Sequence, residues 1–568
     1  MQAAQAQPAP ARLAFPSLDM LRSERNLVGA HIFTALIALT IGIFMGPFQA
    51  FHRAPAFVNT FLGNIPVFSY YYQAVTVHGV MMALFFTTLF IVGFSYFVTQ
   101  RSLQRPLVAM PLAWVAYALM LVGLVLLVFT LSNDVQRSSV LYTFYPPMIA
   151  PAMFYIGLVL LIVGSWIAVF LTFFTYNAWR KEHPGERVPL AVFGIIVNYL
   201  MWFIASLAVA VEVLFMLLPV SLGLIKNTDP QLARILFWFF GHPLVYFWLI
   251  PAYVSWYTML PKQAGGRLYS DPLARVAFIM LLLFSIPVGV HHLYVDPGVS
   301  NVAKAVHAFL TFIVAVPSFM TAFNIGASLE IASRNNGGKG FWGFIFKQRW
   351  NDPVVASQLV ALLLFLAGGI TGLMQASAQI NITLHNTSWV PGHFHTTLGG
   401  AVAMTYFGIL YWLLPMILGK GLFSKKVGMW QALTWLVGMM IFGFTMGEAG
   451  LAGAPRRADL ANAPYLSQAA GTWLNGSAIG GIILLISVIL LFVNIIGTLF
   501  SKKPVVDEPV ISTRTEVDSP KILENWKVWI GIVIVLCLIA WGPVIVQGFD
   551  TVNGFNSAPF TPSGAPLP

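Results

Sequence analysis

Six of the eleven histidines stand in apolar surroundings, where an ionisable group is expensive: His78, His242, His291, His292, His393 and His395. Neutral imidazoles ligate first-row transition metals, and several of them together point to metal binding. Spacing sorts them. His393 and His395 are two apart, so on an α-helix they project about 200° from one another. They cannot share an ion, and each serves a separate centre on its own side of the helix. His395 then needs a histidine across a low-spin heme, and His78 is the free partner. His393 holds a second heme from one side and leaves the other axial face open. His242, His291 and His292 remain, three imidazoles suited to copper with an open position. His291 and His292 are adjacent, and Pro287 and Gly289 upstream loosen the backbone enough for both to reach one ion. Iron with an open face opposite such a copper makes a site for a diatomic molecule.

Four chain segments must bring these imidazoles to one depth, and composition says what the segments are. The chain has 568 residues, 58% hydrophobic and only 9% charged, with a mean hydropathy of +0.80. Soluble domains carry about 25% charged residues, so a large soluble protein is excluded. Apolar runs long enough to cross a bilayer fall near 28–47, 74–98, 107–131, 150–175, 190–219, 233–260, 273–294, 305–330, 354–378, 391–418, 428–452, 471–499 and 526–548. All are expected to be helices, because backbone in lipid must satisfy its own hydrogen bonds. The sequence therefore predicts an all-α polytopic bundle of about 13 transmembrane helices, with no transporter-like repeat.

The net charge of +11 is not a nucleic-acid signature, since Lys and Arg lie in short segments between apolar runs. With the N-terminus in the cytoplasm, 23 of the 30 fall inside and 7 outside, which also sets the C-terminus outside. In that orientation all six histidines lie in the outer half of a core about 30 Å thick. The expected plan is a cytoplasmic tail over 1–27 without the apolar stretch of a signal peptide, a membrane domain over 28–548 and an exterior tail over 549–568. The polar inner segment 501–525 is read as a connection. Cys537 stands alone, so neither a disulfide nor a thiolate cluster is available within the chain.

The strings around these residues are Val77-His78-Gly79, Tyr145-Pro146-Pro147, Gly241-His242-Pro243-Leu244-Val245-Tyr246, Val290-His291-His292, Pro391-Gly392-His393-Phe394-His395 and Pro455-Arg456-Arg457. In this order they resemble subunit I of the heme–copper oxidases over nearly the whole chain. The resemblance implies a low-spin heme b held by His78 and His395, a high-spin heme of a type on His393, and the copper called CuB on His242, His291 and His292. It further implies that Tyr246 is joined covalently to His242 and supplies an electron and a proton when the O–O bond breaks. Arg456 and Arg457 would hold heme propionates, with His385 and Asn386 close by. The expected reaction is four-electron reduction of dioxygen to water, coupled to proton uptake and pumping. Its expected partners are dioxygen, cytochrome c, a subunit II carrying a dicopper CuA centre, and the lipid of a bacterial or archaeal plasma membrane, with no nucleic acid.

Departures narrow the resemblance. No Glu follows His242 at the second position, where the A-type pattern has one, and the Asn-rich inner loop of that type is missing. The chain looks like the B-type branch, whose single proton path would run through Tyr253, Tyr257, Ser270, Ser318 and Thr321. Tyr246, Tyr253 and Tyr257 are spaced seven and four, so they stack on one helix face. Asn381 stands where some relatives have a carboxylate, which puts the proton-loading group in doubt. A nitric oxide reductase of the same superfamily would have iron in place of copper, glutamates beside it and no Tyr246. A secondary transporter, the rival of another class, has no use for histidines on opposite faces of one helix.

Overall fold

In the computed structural model the chain is described over residues 18–65, 70–461, 463–505 and 519–550. Most of the two expected tails and the middle of the 501–525 connection lie outside the described residues. Among the described residues there are 13 helices long and apolar enough to cross a membrane. They are α1 (Arg22–Arg53), α2 (Tyr71–Leu103), α3 (Met110–Asn133), α4 (Ala152–Glu182), α5 (Leu190–Ser221), α6 (Pro230–Thr258) and α7 (Asp271–Leu293). The series continues with α8 (Asn301–Asn335), α9 (Pro353–Ala376), α10 (Trp389–Leu418), α11 (Lys425–Leu451), α12 (Gln468–Leu499) and α13 (Trp526–Phe549). Each overlaps one expected span, and most run several residues beyond it. Hydropathy marks the part that faces hydrocarbon, whereas helical hydrogen bonding continues into the headgroup region.

Local chemistry starts these helices where they start. The side chains of Asp229, Ser270, Ser300, Asp352, Ser424 and Ser467 accept backbone N–H groups of the first turns of α6, α7, α8, α9, α11 and α12. Proline occupies the first turn of α6, α7 and α9, where its missing N–H costs nothing. Within the bundle α11 packs along α12, α3 along α4 and α5 along α6.

Three details of this scaffold bear on the site. First, α6 carries Pro243 directly after His242, which frees the carbonyl one turn earlier and loosens the helix there. Second, regular α-helix in α7 ends at Ser285, and residues 290–293 form a separate 3₁₀ turn that carries both His291 and His292. This is the loosened backbone expected from Pro287 and Gly289. Third, α2 and α10 each contain a π-helical turn beside a histidine, over Met81–Phe86 and His395–Val402.

On the side assigned to the cytoplasm by charge, a buried ion network holds α13 to the bundle. Arg275 is fully buried and bonds Asp271 at 2.7 Å and Glu524 at 3.2 Å. Glu524 also takes Arg180 at 3.2 Å and the backbone N–H of Val188 at 3.1 Å. Burial raises the Glu524 carboxyl above its usual range, and Arg275 and Arg180 pull it back.

Candidate metal centre

All six histidines line one largely apolar cavity of about 850 Å³, together with Tyr246, Arg456 and Arg457. How each ring is held decides which nitrogen it offers. His78 Nδ1 donates to the carbonyl of Gly42 at 2.9 Å, and His395 Nδ1 to that of Pro391 at 2.7 Å. A carbonyl only accepts, so the proton sits on Nδ1 and Nε2 is left as the ligand atom. The two rings face each other with centroids 6.0 Å apart and planes 11° from parallel. Two metal–nitrogen bonds of about 2 Å plus the ring radii span roughly that distance. The pair therefore fits the two axial positions of a heme iron.

His393 points elsewhere, as its spacing from His395 requires. Its Nδ1 donates to the Gly368 carbonyl at 3.1 Å and to Thr371 Oγ1 at 3.0 Å. The Thr371 hydroxyl spends its own proton on the Gly368 carbonyl. Close approach here needs glycine: a Cβ on Gly372 would come 2.9 Å from His393 Cε1, and one on Gly46 would come 3.0 Å from His78 Cε1.

His242, His291 and His292 form a cluster whose ligand atoms lie within 4.8 Å of one another. His242 Nδ1 faces His292 Nε2 at 3.3 Å. His291 Nδ1 is engaged by Thr311 Oγ1 at 2.9 Å, which leaves its Nε2 for the centre. The His292 ring stacks on Trp238 at 3.7 Å, with planes 8° apart. Three imidazoles without a carboxylate suit copper or a neighbouring transition metal. His242 Nε2 is buried and has no hydrogen-bond partner, and the Tyr246 ring lies 5.1 Å from the His242 ring. An orphaned nitrogen beside this tyrosine fits the covalent link that the resemblance implies. The donor sets thus fit two hemes and one copper.

At the outer mouth, Arg456 donates to Asn386 Oδ1 through Nε and Nη2, at 3.2 and 2.9 Å. Arg457 lies over the rings of Tyr142 and Tyr145, and its Nη2 is buried without a partner. Burial, with Arg457 adjacent, brings the Arg456 guanidinium down to about 10. His385 bonds Asn381 Oδ1 at 3.1 Å and approaches Asp296 at 3.9 Å. Burial, with Arg456 and Arg234 close, pushes its imidazole down to about 4. Burial raises the Asp296 carboxyl against the pull of Arg234.

Toward the other end, Tyr253 donates to Ser318 Oγ at 3.2 Å and Tyr257 to Thr321 Oγ1 at 2.6 Å. Ser270 joins this line indirectly. Its hydroxyl caps α7, while Asn324 bonds its backbone N–H and carbonyl at 3.0 and 2.7 Å. Sequence reasoning missed Asn324, and also the second acceptors Gly42, Thr311 and Thr371. Nothing marks a threonine or a backbone carbonyl as a histidine's partner until the helices are packed. The cavity follows the same direction along α8, from Thr311 past Ile325 to Leu329, about 27 Å of helix.

Known proteins resemble the chain along most of its length. The family model described as cytochrome C and quinol oxidase polypeptide I matches residues 26–483. Cytochrome c oxidase subunit 1 of Thermus thermophilus is 38% identical over 542 residues, 93% of this chain and 96% of that protein. Quinol oxidase subunit 1 of Sulfolobus acidocaldarius is 25% identical over 477 residues, 80% and 87% of the two chains. A heme–copper terminal oxidase dimer solved by cryo-EM superposes with a TM-score of 0.89 at 36% identity, covering 96% of each chain.

Proposed function

The chain belongs to the cytochrome c and quinol oxidase polypeptide I family, and on that premise we propose a B-type cytochrome c oxidase whose CuB site is His242, His291 and His292. As a member of this family it is the catalytic subunit of a heme–copper terminal oxidase, a multi-pass protein of the plasma membrane. The observation that carries the finer reading is the trio of mutually close imidazoles sharing one cavity with His393, with Tyr246 beside the free nitrogen of His242.

When bound, the two hemes and the copper supply the electron transfer that reduces dioxygen to water. The chain's own residues do the rest. His78 and His395 clamp the low-spin heme, proposed as heme b, and fix its orientation through Gly42 and Pro391. His393 holds the high-spin heme, proposed as an a-type heme; the long apolar extension of the cavity beside α8 fits an alkyl tail, which a- and o-type hemes carry and b-type hemes lack. Tyr246 stands where a phenolic proton and electron are needed. Tyr253 and Tyr257, with Ser318 and Thr321, move protons along α6 and α8, and Ser270 forms the inner end of the line with Asn324. Arg456 and Arg457 neutralise heme carboxylates, with His385 and Asn386 ordering the same mouth. Some protons are pumped outward, and the neutral Asn381 shifts the loading role to His385, which bonds it, and to Asp296, which approaches His385.

One membrane domain over 28–548, an N-terminal tail inside over 1–27 and a C-terminal tail outside over 549–568 complete the proposed plan, supported by the charge bias. The lone Cys537 cannot build a dicopper centre. The proposed electron route from cytochrome c runs through a subunit II with CuA, the centre this chain cannot supply.

Metal and heme analysis of the purified complex tests the proposal. Two irons in this subunit and one copper that vanishes in His291→Ala are expected. Three irons and no copper would overturn it in favour of nitric oxide reduction. The proton path fails if Tyr257→Phe and Ser318→Ala both leave turnover unchanged.

A further inference from the structure

We infer that Arg53 is a third guanidinium of the cofactor site, binding a carboxylate of the low-spin heme; this rests on the heme reading above. Arg53 ends α1 and is only 5% exposed, yet it lines the same cavity as His78 and His395. Its Nη2 donates to Ser388 Oγ at 2.9 Å and to the carbonyl of Pro455 at 2.6 Å. Pro455 is the residue directly before Arg456, so Arg53 is tied to the loop that carries the other two guanidiniums. Its Nε is buried and has no partner. Asp459, the acid of that loop, pairs with His52 at 3.2 Å instead.

Asp459 acts on Arg53 only through space and is itself paired with His52, so a buried cation without a direct ion pair has room for a second anion. Placement on the helix says which anion. α1 meets the His78 ring at the Gly42 carbonyl and again at Gly46, which lies against Cε1. Arg53 comes seven residues later on the same face, with Gln49 between them also lining the cavity. Seven residues rise about 10 Å along the helix, the reach from a heme iron to the carboxylates at its edge. Stoichiometry agrees, because two hemes bring four carboxylates and Arg456 with Arg457 can neutralise only two. Arg53 supplies a further charge from the α1 side, next to the ring of His78.

A cation at this distance favours the ferrous heme, so removing it lowers the midpoint potential. The test is a spectroelectrochemical titration of both hemes in the complete oxidase complex. Arg53→Gln keeps a hydrogen-bonding side chain and loses the charge. It is expected to shift the ferric-to-ferrous ratio of the low-spin heme about tenfold at fixed potential, ~59 mV for one electron. Ser388→Ala keeps the charge, loses the structural bond and is expected to leave that midpoint in place. Wild-type midpoints in Arg53→Gln would overturn the inference, and so would an equal shift in Ser388→Ala. If Arg53→Gln assembles without its low-spin heme, Arg53→Lys decides: restored heme supports a charge role, and continued loss overturns it. A wild-type complex lacking a six-coordinate low-spin heme spectrum would instead remove the proposed function itself, whatever Arg53 does.

Discussion

Thr311→Val should weaken copper binding tenfold to a hundredfold without touching either heme. The Thr311 hydroxyl has one proton, and it donates that proton to the carbonyl of His307, one turn back, at 2.6 Å. Its oxygen can therefore only accept from His291, whose Nδ1 lies 2.9 Å away. That acceptor fixes the tautomer of His291 and leaves Nε2 as the ligand. Valine keeps the shape and removes the oxygen. The Nδ1 proton is then buried without a partner, at a cost of about 1–3 kcal/mol, or the tautomer flips and the proton blocks Nε2. Loss of such an outer partner typically lowers metal affinity by ~10–100-fold, which is about 1.4–2.8 kcal/mol at 1.4 kcal/mol per factor of ten. Dialysis against a graded copper chelator, with copper and iron counted at each step, measures it. Copper should leave Thr311→Val at a chelator strength ten to a hundred times lower, roughly the affinity ratio. Superimposable release curves would refute the assignment of Thr311 as the acceptor that orients His291.

Packing sets two further outcomes. In Gly46→Ala the added methyl meets His78 Cε1 at 3.0 Å, so the imidazole must give way; the low-spin heme spectrum should change while the one copper of this subunit stays, and an unaltered spectrum would show that His78 is not confined there. Glu524→Gln breaks a buried pair with Arg275, a loss of about 3–5 kcal/mol, so the complex should melt measurably earlier; an unchanged melting point would mean that the network does not hold α13.

The helices and the grouping of the candidate ligand residues were legible because both have signals that survive without packing. A bilayer demands a long apolar run, and all thirteen runs became helices. The opposition of His393 and His395 comes from helix geometry alone, and it leaves His395 free to face His78. The loosened turn at His291 and His292 was readable from Pro287 and Gly289. What could not be read depends on neighbours from other helices. Trp238 flattens against His292 from another span, and Gly372 makes room for His393 from α9. Arg53 looked like an ordinary exterior charge in sequence and proved to be buried against the cavity. Ser270 was named as a path residue, yet its hydroxyl caps a helix and Asn324 makes its connections.

The π-helical turns beside His78 and His395 place the aim of the two proposed heme ligands in a residue count. A π turn holds one residue more than an α turn, and each residue rotates the adjoining helix by about 100°. A residue deleted within Met81–Phe86 is absorbed as the turn tightens to ordinary winding, whereas one deleted from the regular helix Thr87–Leu103 is not. In the second case His78 would swing about 100° around the axis, with every side chain around it intact. Length changes in the regular parts of these two helices therefore act as rotations of a histidine, while the π turns are where a one-residue gap in a relative would leave its aim unchanged.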